Sequence, residues 1–156
     1  MIVSMIVLFG YLCYVVAKFG IPQSISDTFY LLGKQGWMFQ VALAATAFCV
    51  VPSLIDASSE NTQFLAFLAC AGLAFVAFAP LFKMDLEGKV HFVSAYICCG
   101  SLVLWQVFNA SWITPLVCFA LVVYPMMKDK KYYVWWLEIA TIVSAFISLI
   151  FFKEGY

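Results

Sequence analysis

The chain has 156 residues, of which 66% are apolar and only 10% are charged. Its eight basic residues are all Lys and are balanced by eight acidic residues. A soluble domain carries about 25% charged and roughly 45–50% apolar residues, and a fold of this size has too much surface to hide such an apolar excess. The composition excludes a soluble enzyme, a disordered chain and a nucleic-acid-binding protein, which needs a basic face. It predicts a polytopic membrane protein.

Long runs with few or no charged residues follow one another along the chain. A helix crosses the roughly 30 Å hydrocarbon layer with about 20 apolar residues, and the run over residues 90–127 exceeds one such length. Asn109-Ala110-Ser111 divides this run into two helices; one long helix followed by a re-entrant segment is the alternative. The sequence predicts an all-α fold, a bundle of six transmembrane helices forming one integral membrane domain over residues 1–156. The predicted helices cover residues 2–19, 36–54, 62–82, 91–108, 112–127 and 132–152.

The Lys residues are distributed unevenly between the two predicted sides of the membrane. With six spans, only Lys153 lies on the side of the termini, and the other seven lie on the opposite side: Lys18, Lys34, Lys83, Lys89, Lys128, Lys130 and Lys131. Under the positive-inside rule, the Lys-rich side is cytoplasmic. Both termini are therefore predicted to face away from the cytoplasm, with a bacterial inner membrane as the location. Near the predicted helix ends, where aromatic belts lie, stand Trp37, Trp105, Trp112, Trp135 and Trp136.

Two titratable residues interrupt the apolar runs. A charged group inside a membrane costs about 2.5–3.5 kcal/mol on insertion scales, so each one indicates a role. Glu138 lies in the sixth predicted helix, and Thr141 follows it on one small, polar face that should turn into the bundle. His91 is the one histidine. It opens the fourth predicted helix, and Ser94 continues its face.

These residues share one end of the predicted bundle with the first loop. Helices four and six both begin on the Lys-rich side, where the loop carries Ser26 and Asp27. One hypothesis is a shared polar pocket, with Asp27, His91 and Glu138 as candidate catalytic residues. The candidates for ligand binding are Ser26, Ser94 and Thr141.

A structural interpretation of the same residues stays open. His91 would then be a wetted helix end, Glu138 would pair with a neighbour, and Asp27 would be an N-cap or turn residue. In an enzyme, His91 would act as the general base of acyl or phospho-ester chemistry, oriented by an acidic residue.

The cysteines provide no further candidate site. All six lie in the apolar runs, they form no Cys-x-x-Cys motif, and a single His is available. The sequence therefore predicts no metal site and no cofactor. On the third predicted helix, Ala66, Cys70 and Ala74 form a small-residue stripe that predicts a close helix–helix contact.

Three short motifs resemble a six-helix membrane family. "IPQSISDTFY" resembles the Ile-Ser-Asp loop of the family that includes the GPI-anchor-remodelling proteins, the damage-regulated autophagy modulators and bacterial relatives of unknown function. "HFVSA" resembles the family's His followed by a small residue, here His91 and Ala95, and "WWLE" resembles its acidic residue near the start of the last helix, here Glu138. The resemblance implies a role in remodelling, sensing or organising membrane lipids. It also implies a luminal or exterior Ile-Ser-Asp loop, whereas the Lys distribution predicts a cytoplasmic one.

The leading prediction is a small membrane protein that binds or remodels a lipid, or another ligand with a polar head, at its Lys-rich end. Membrane lipids are the expected partners, with no nucleic acid, and a homo-oligomer or a membrane protein partner is possible. The first alternative is a non-catalytic structural or interaction subunit. The second is a transporter or channel subunit, for which a continuous intramembrane ion path is not visible.

Overall fold

A computed structural model describes residues 1–81 and 83–152, with the side chain of Phe152 excepted. Lys153 and the last residue of the helix predicted over 62–82 lie outside the described residues. Within the described residues all regular structure is helical, which confirms the all-α fold. The helices are α1 (Ile2–Phe19), α2 (Thr28–Leu32), α3 (Trp37–Asp56), α4 (Gln63–Phe78), α5 (Asp85–Asn109), α6 (Ile113–Lys128) and α7 (Tyr133–Phe152). Single 3-10 turns precede α3, α4 and α7, at Gly33–Gln35, Glu60–Thr62 and Lys130–Tyr132.

Each of the six predicted helices is present, and the short α2 in the first loop is additional. The largest difference in a helix start is at α5, which begins at Asp85 rather than near residue 91. Asp85 and Glu87 stand in its first turn, where negative side chains interact favourably with the helix dipole. Asp85 and Glu87, which precede the apolar run over residues 90–127, are therefore part of the helix.

Among the described residues, five helical segments are long and apolar enough to cross a membrane: Ile2–Phe19, Trp37–Asp56, Glu60–Phe78, Asp85–Asn109 and Lys130–Phe151. They correspond to α1, α3, α4, α5 and α7. The helix α6 has 16 residues, which corresponds to about 24 Å at 1.5 Å per residue, less than the roughly 30 Å layer. The predicted count of six spans is therefore not confirmed. The helices are compatible with an integral membrane protein.

The five long helices surround a common interior. The helix α3 packs between α1 and α4. The helix α4 also packs on α5, and α5 contacts α7. The rings of Phe9 on α1 and Phe146 on α7 lie 5.7 Å apart, so the first and last helices also meet. The short α6 packs mainly on α7 and buries only Pro115 and Cys118, which makes it a peripheral helix.

The helices α4 and α5 approach each other closely at Gly72. A Cβ at Gly72 would lie 2.7 Å from the Ser94 carbonyl oxygen and 2.8 Å from the Cys98 amide nitrogen. A residue without a Cβ is required there because backbone atoms, unlike a flexible side chain, cannot move aside. The predicted small-residue stripe lies on the same helix, with Ala66 and Cys70 buried and Ala74 half-buried.

Hydrogen bonds join the loops and helix ends at each end of the bundle. At the end that carries Met1, Ser59 and Thr62 both bond to the side chain of Asn109, and the indole of Trp105 donates to Ser58 over 2.7 Å. Trp105 and Trp135 are buried in the bundle. Trp37 and Trp112 are exposed, as residues of an interfacial belt would be. The opposite end, called the Lys-rich end here, carries the seven Lys residues from Lys18 to Lys131 named above.

Candidate functional site

The first loop is anchored across the Lys-rich end by bonds to α1 and α7. The Trp135 amide donates to the Gln23 carbonyl over 3.0 Å. The Thr28 hydroxyl donates to the Ile25 carbonyl over 2.6 Å, so the hydroxyl of Tyr11, which is bonded to Thr28, acts as the donor of that pair. These bonds hold the Ser-Ile-Ser-Asp stretch in one conformation over the helix ends.

His91 is buried and joins the first loop to the end of α4. Its Nδ1 lies 2.9 Å from the Ala79 carbonyl oxygen, and its Nε2 lies 2.8 Å from Oγ of Ser26. A carbonyl oxygen only accepts, so Nδ1 carries the proton in this contact. In the neutral ring Nε2 is then the acceptor, and the Ser26 hydroxyl donates to it.

Glu138 is bonded to the residue next to Ser26. Its Oε2 accepts from the Ile25 amide over 2.6 Å, which is short for a hydrogen bond from an amide N–H. Ile25 is itself buried, so this acceptor satisfies an amide that water does not reach. Two consecutive loop residues, Ile25 and Ser26, are thus held by Glu138 of α7 and His91 of α5.

The other predicted site residues, Asp27, Ser94 and Thr141, differ in their burial and in their hydrogen bonds. Asp27 is half-buried and stands at the N-cap of α2 with no side-chain capping bond, and its amide is bonded to Oγ of Ser24 over 3.1 Å. Ser94 is buried on α5 beside Gly72. Thr141 is buried on α7, and its hydroxyl donates to the Leu137 carbonyl over 2.9 Å. The structure bonds Ser26 to His91 and Glu138 to the residue before Ser26. The side chains of Asp27, Ser94 and Thr141 take part in neither bond.

Two hollows meet at this group of residues. One is a cavity of about 100 Å³ lined by residues of α1, α3, α4, α5 and α7 and of the first loop, and we call it the internal cavity. The other is a groove of about 660 Å³ on the side of the bundle, between α5, α6 and α7, and we call it the lateral groove. The residues that line both hollows are Ser26, Ala95, Cys99, Glu138 and Thr141.

The lateral groove has the titratable side chains of His91, Glu138 and Tyr133 towards one end and mostly apolar side chains beyond Cys99 and Thr141. At the Lys-rich end its walls carry Ser24, Ser26, His91, Tyr133 and Glu138. Further along, the walls are Gly100, Val103 and Leu104 of α5, Phe119 of α6 and Thr141 of α7. Thirteen residues separate His91 from Leu104 on one helix, which corresponds to about 20 Å.

Several functional groups of this site are invisible in the sequence pattern. The Ile25 amide and the Ala79 carbonyl are backbone groups, which every residue carries, so no residue type marks them. The groove wall formed by Phe119 depends on α6 lying against α7, which follows from packing. Only the Ser-Ile-Ser-Asp stretch itself, between two apolar helices, indicates that the loop bears function.

Among the described residues, no three His, Cys, Asp or Glu side chains are grouped as metal ligands are. Comparison of the chain with protein-family models, with curated proteins and with solved structures finds no match.

Proposed function

We propose that this chain is an integral membrane protein that binds a membrane lipid in the lateral groove, with the lipid head group at Ser26, His91 and Glu138. The observation that carries the proposal is the groove itself, which is open on the side of an apolar helix bundle and has its polar groups at one end. Such a gradient matches an amphiphile whose head lies near the membrane surface. Cytoplasmic placement of the Lys-rich end, in a bacterial inner membrane, is part of the proposal.

A lipid fits the groove better than a soluble ligand does. Beyond Cys99 the groove walls along α5 and α6 are Gly100, Val103, Leu104 and Phe119, so in a membrane the open face of this part of the groove would contact lipid tails rather than water. Its length of about 20 Å along α5 is more than half of the roughly 30 Å hydrocarbon layer, that is, more than the thickness of one leaflet. One acyl chain can lie between α5 and α6 along this length without leaving the bilayer.

The polar end of the groove indicates the chemistry of the head group. A carboxyl group, an imidazole and hydroxyls from Glu138, His91 and Ser26 line it, and no Lys is among the described lining residues. Acceptor oxygens without a fixed cation favour a head group that donates hydrogen bonds, such as an ammonium or a hydroxyl. The resemblance to a lipid-acting family, through the Ile-Ser-Asp loop, His91 and Glu138, supports the same proposal.

Native mass spectrometry of the detergent-solubilised protein titrated with phosphatidylethanolamine tests this function. We expect retained lipid on the unchanged protein and on Ser101→Ala, a buried serine of α5 that lines neither hollow. We expect a loss of at least tenfold in lipid occupancy for His91→Ala. An oligomer that holds no lipid, and whose behaviour is indifferent to His91→Ala, would instead support the structural-subunit alternative.

A further inference from the structure

We propose that Ser26 is a nucleophile activated by His91, and that the protein cleaves an ester bond of the lipid held in the lateral groove. The inference rests on the proposed lipid binding and extends it from binding to a reaction. It assigns the catalytic pair to one loop serine and one helix histidine.

The geometry of the Ser26–His91 pair is the one that general-base activation requires. The Oγ–Nε2 distance of 2.8 Å falls within the range of about 2.6–3.2 Å expected for a nucleophile and its base. The Nδ1 bond to the Ala79 carbonyl over 2.9 Å holds the ring in the tautomer that leaves Nε2 free of a proton. The Ala79 carbonyl thus orients the imidazole, as a carboxylate does in serine hydrolases.

The position of Ser26 favours reaction with a lipid. Only 7% of Ser26 is exposed, yet it lines the lateral groove and the internal cavity. Ser26 therefore borders space that a ligand can occupy, with little exposure to bulk solvent. A lipid whose chain lies along Leu104 and Phe119 has its ester linkage near the polar end, where Ser26 stands.

The reaction consists of two balanced steps. Ser26 Oγ attacks the ester carbonyl carbon and forms a C–O bond, while its proton passes to Nε2 of His91. The tetrahedral intermediate collapses, the lipid's alcohol leaves, and it takes the proton from Nε2. Water then attacks the carbonyl carbon of the acyl-Ser26 ester while Nε2 of His91 accepts a proton from it. As the bond between the acyl carbon and Oγ breaks, Nε2 returns that proton to Oγ, and a fatty acid, free Ser26 and neutral His91 result.

Glu138 is a positioning residue in this scheme. It holds the Ile25 amide over 2.6 Å, and Ile25 precedes Ser26 in the chain. The carboxyl group therefore fixes the backbone from which the nucleophile projects. Glu138→Gln retains an oxygen that can accept from Ile25 and should keep at least a tenth of the reactivity of Ser26.

Labelling with dodecyl fluorophosphonate tests the nucleophile directly, since an activated serine displaces fluoride and gains the alkylphosphonyl mass. We expect one adduct on the purified protein, located at Ser26 by peptide mass spectrometry, with none on Ser26→Ala and full labelling of Ser101→Ala. His91→Gln should label at least about a hundredfold more slowly, as expected from loss of a general base.

The location of the adduct on the unchanged protein decides the inference even where a variant fails to fold. An absence of labelling, or an adduct at another serine, would overturn the nucleophile assignment. Titration of Ser26→Ala and of the unchanged protein with the dialkyl ether analogue of phosphatidylethanolamine, which has no acyl ester bond to cleave, separates the two proposals. Lipid retained on both proteins without any labelling refutes the reaction alone, and loss of lipid from both refutes the proposed function as well.

Discussion

Oγ of Ser26 lies 2.8 Å from Nε2 of His91 although 65 residues separate the two positions in the chain. The bond joins the loop after the first helix to a helix in the second half of the chain. Together with the Glu138–Ile25 bond it fixes the loop at the polar end of the lateral groove. The proposed ligand binding and the position of the loop therefore depend on the same two side chains, those of His91 and Glu138.

The first prediction concerns the hydrogen bond between Glu138 and the Ile25 amide. Glu138→Leu leaves this buried amide without an acceptor, which costs about 1–3 kcal/mol, so the thermal unfolding midpoint in detergent should fall. Glu138→Gln keeps an acceptor oxygen and should unfold close to the unchanged protein. Glu87→Gln, which changes the same charge at the start of α5 outside the groove, is the control. Equal midpoints for Glu138→Leu and Glu138→Gln would contradict the assigned role.

The second prediction concerns the contact between α4 and α5 at Gly72. Gly72→Ala forces a Cβ against the Ser94 carbonyl and the Cys98 amide, so we expect destabilisation of about 1–3 kcal/mol from overpacking. At Gly10 on α1 a Cβ meets no atom within 4 Å, and Gly10→Ala should be neutral or slightly stabilising. Unfolding of both variants, followed by the same tryptophan fluorescence signal, compares them. A Gly72→Ala protein as stable as Gly10→Ala would show that α4 and α5 do not approach so closely.

The third prediction concerns the volume of the lateral groove. Gly100 lines the groove, and a Cβ there meets no atom within 4 Å, so the aromatic ring of Gly100→Phe can occupy the space of an acyl chain. We expect retained folding and a loss of at least tenfold in lipid occupancy by native mass spectrometry. Gly10→Phe adds the same ring at an open position outside both hollows. If both variants retain lipid equally, the lateral groove is not the lipid site.

The fourth prediction concerns the path of α6, whose 16 residues leave its crossing to be tested. If α6 crosses the membrane, Ser111→Cys and Lys130→Cys stand on opposite faces. A membrane-impermeant maleimide added to intact spheroplasts should then modify Ser111→Cys and should reach Lys130→Cys only after permeabilisation. Modification of both positions from the same face would establish five crossings with α6 as a peripheral or re-entrant helix.

The helices could be predicted from the sequence because a helix that crosses the hydrocarbon layer needs about 20 apolar residues between polar boundaries. The start of α5 could not, since Asp85 and Glu87 end the uncharged run but are favourable in the first turn of a helix. The buried Trp105 was also beyond prediction from position alone. Its indole finds a partner in Ser58, which makes burial as acceptable as a place in an interfacial belt.

The residues of the candidate site could be predicted from the sequence, but the hydrogen bonds that join them could not. Membrane topology alone brings the first loop to the same end as His91 and Glu138. That Ser26 bonds to His91 while Glu138 bonds to the Ile25 amide depends on loop conformation and helix rotation, which polar spacing does not encode. The lateral groove depends on α6 packing outside the ring of five helices, and this follows from three-dimensional contacts between side chains.

The most direct test of the account is photocrosslinking of the membrane-embedded protein with phosphatidylethanolamine that carries a diazirine near the middle of one acyl chain. We expect mass spectrometry to find the crosslinks on the groove walls, at Val103, Leu104 or Phe119, and we expect Gly100→Phe to remove them while Gly10→Phe does not. Crosslinks spread evenly over exposed helix faces such as Phe48 of α3, and unchanged by Gly100→Phe, would contradict lipid binding in the lateral groove.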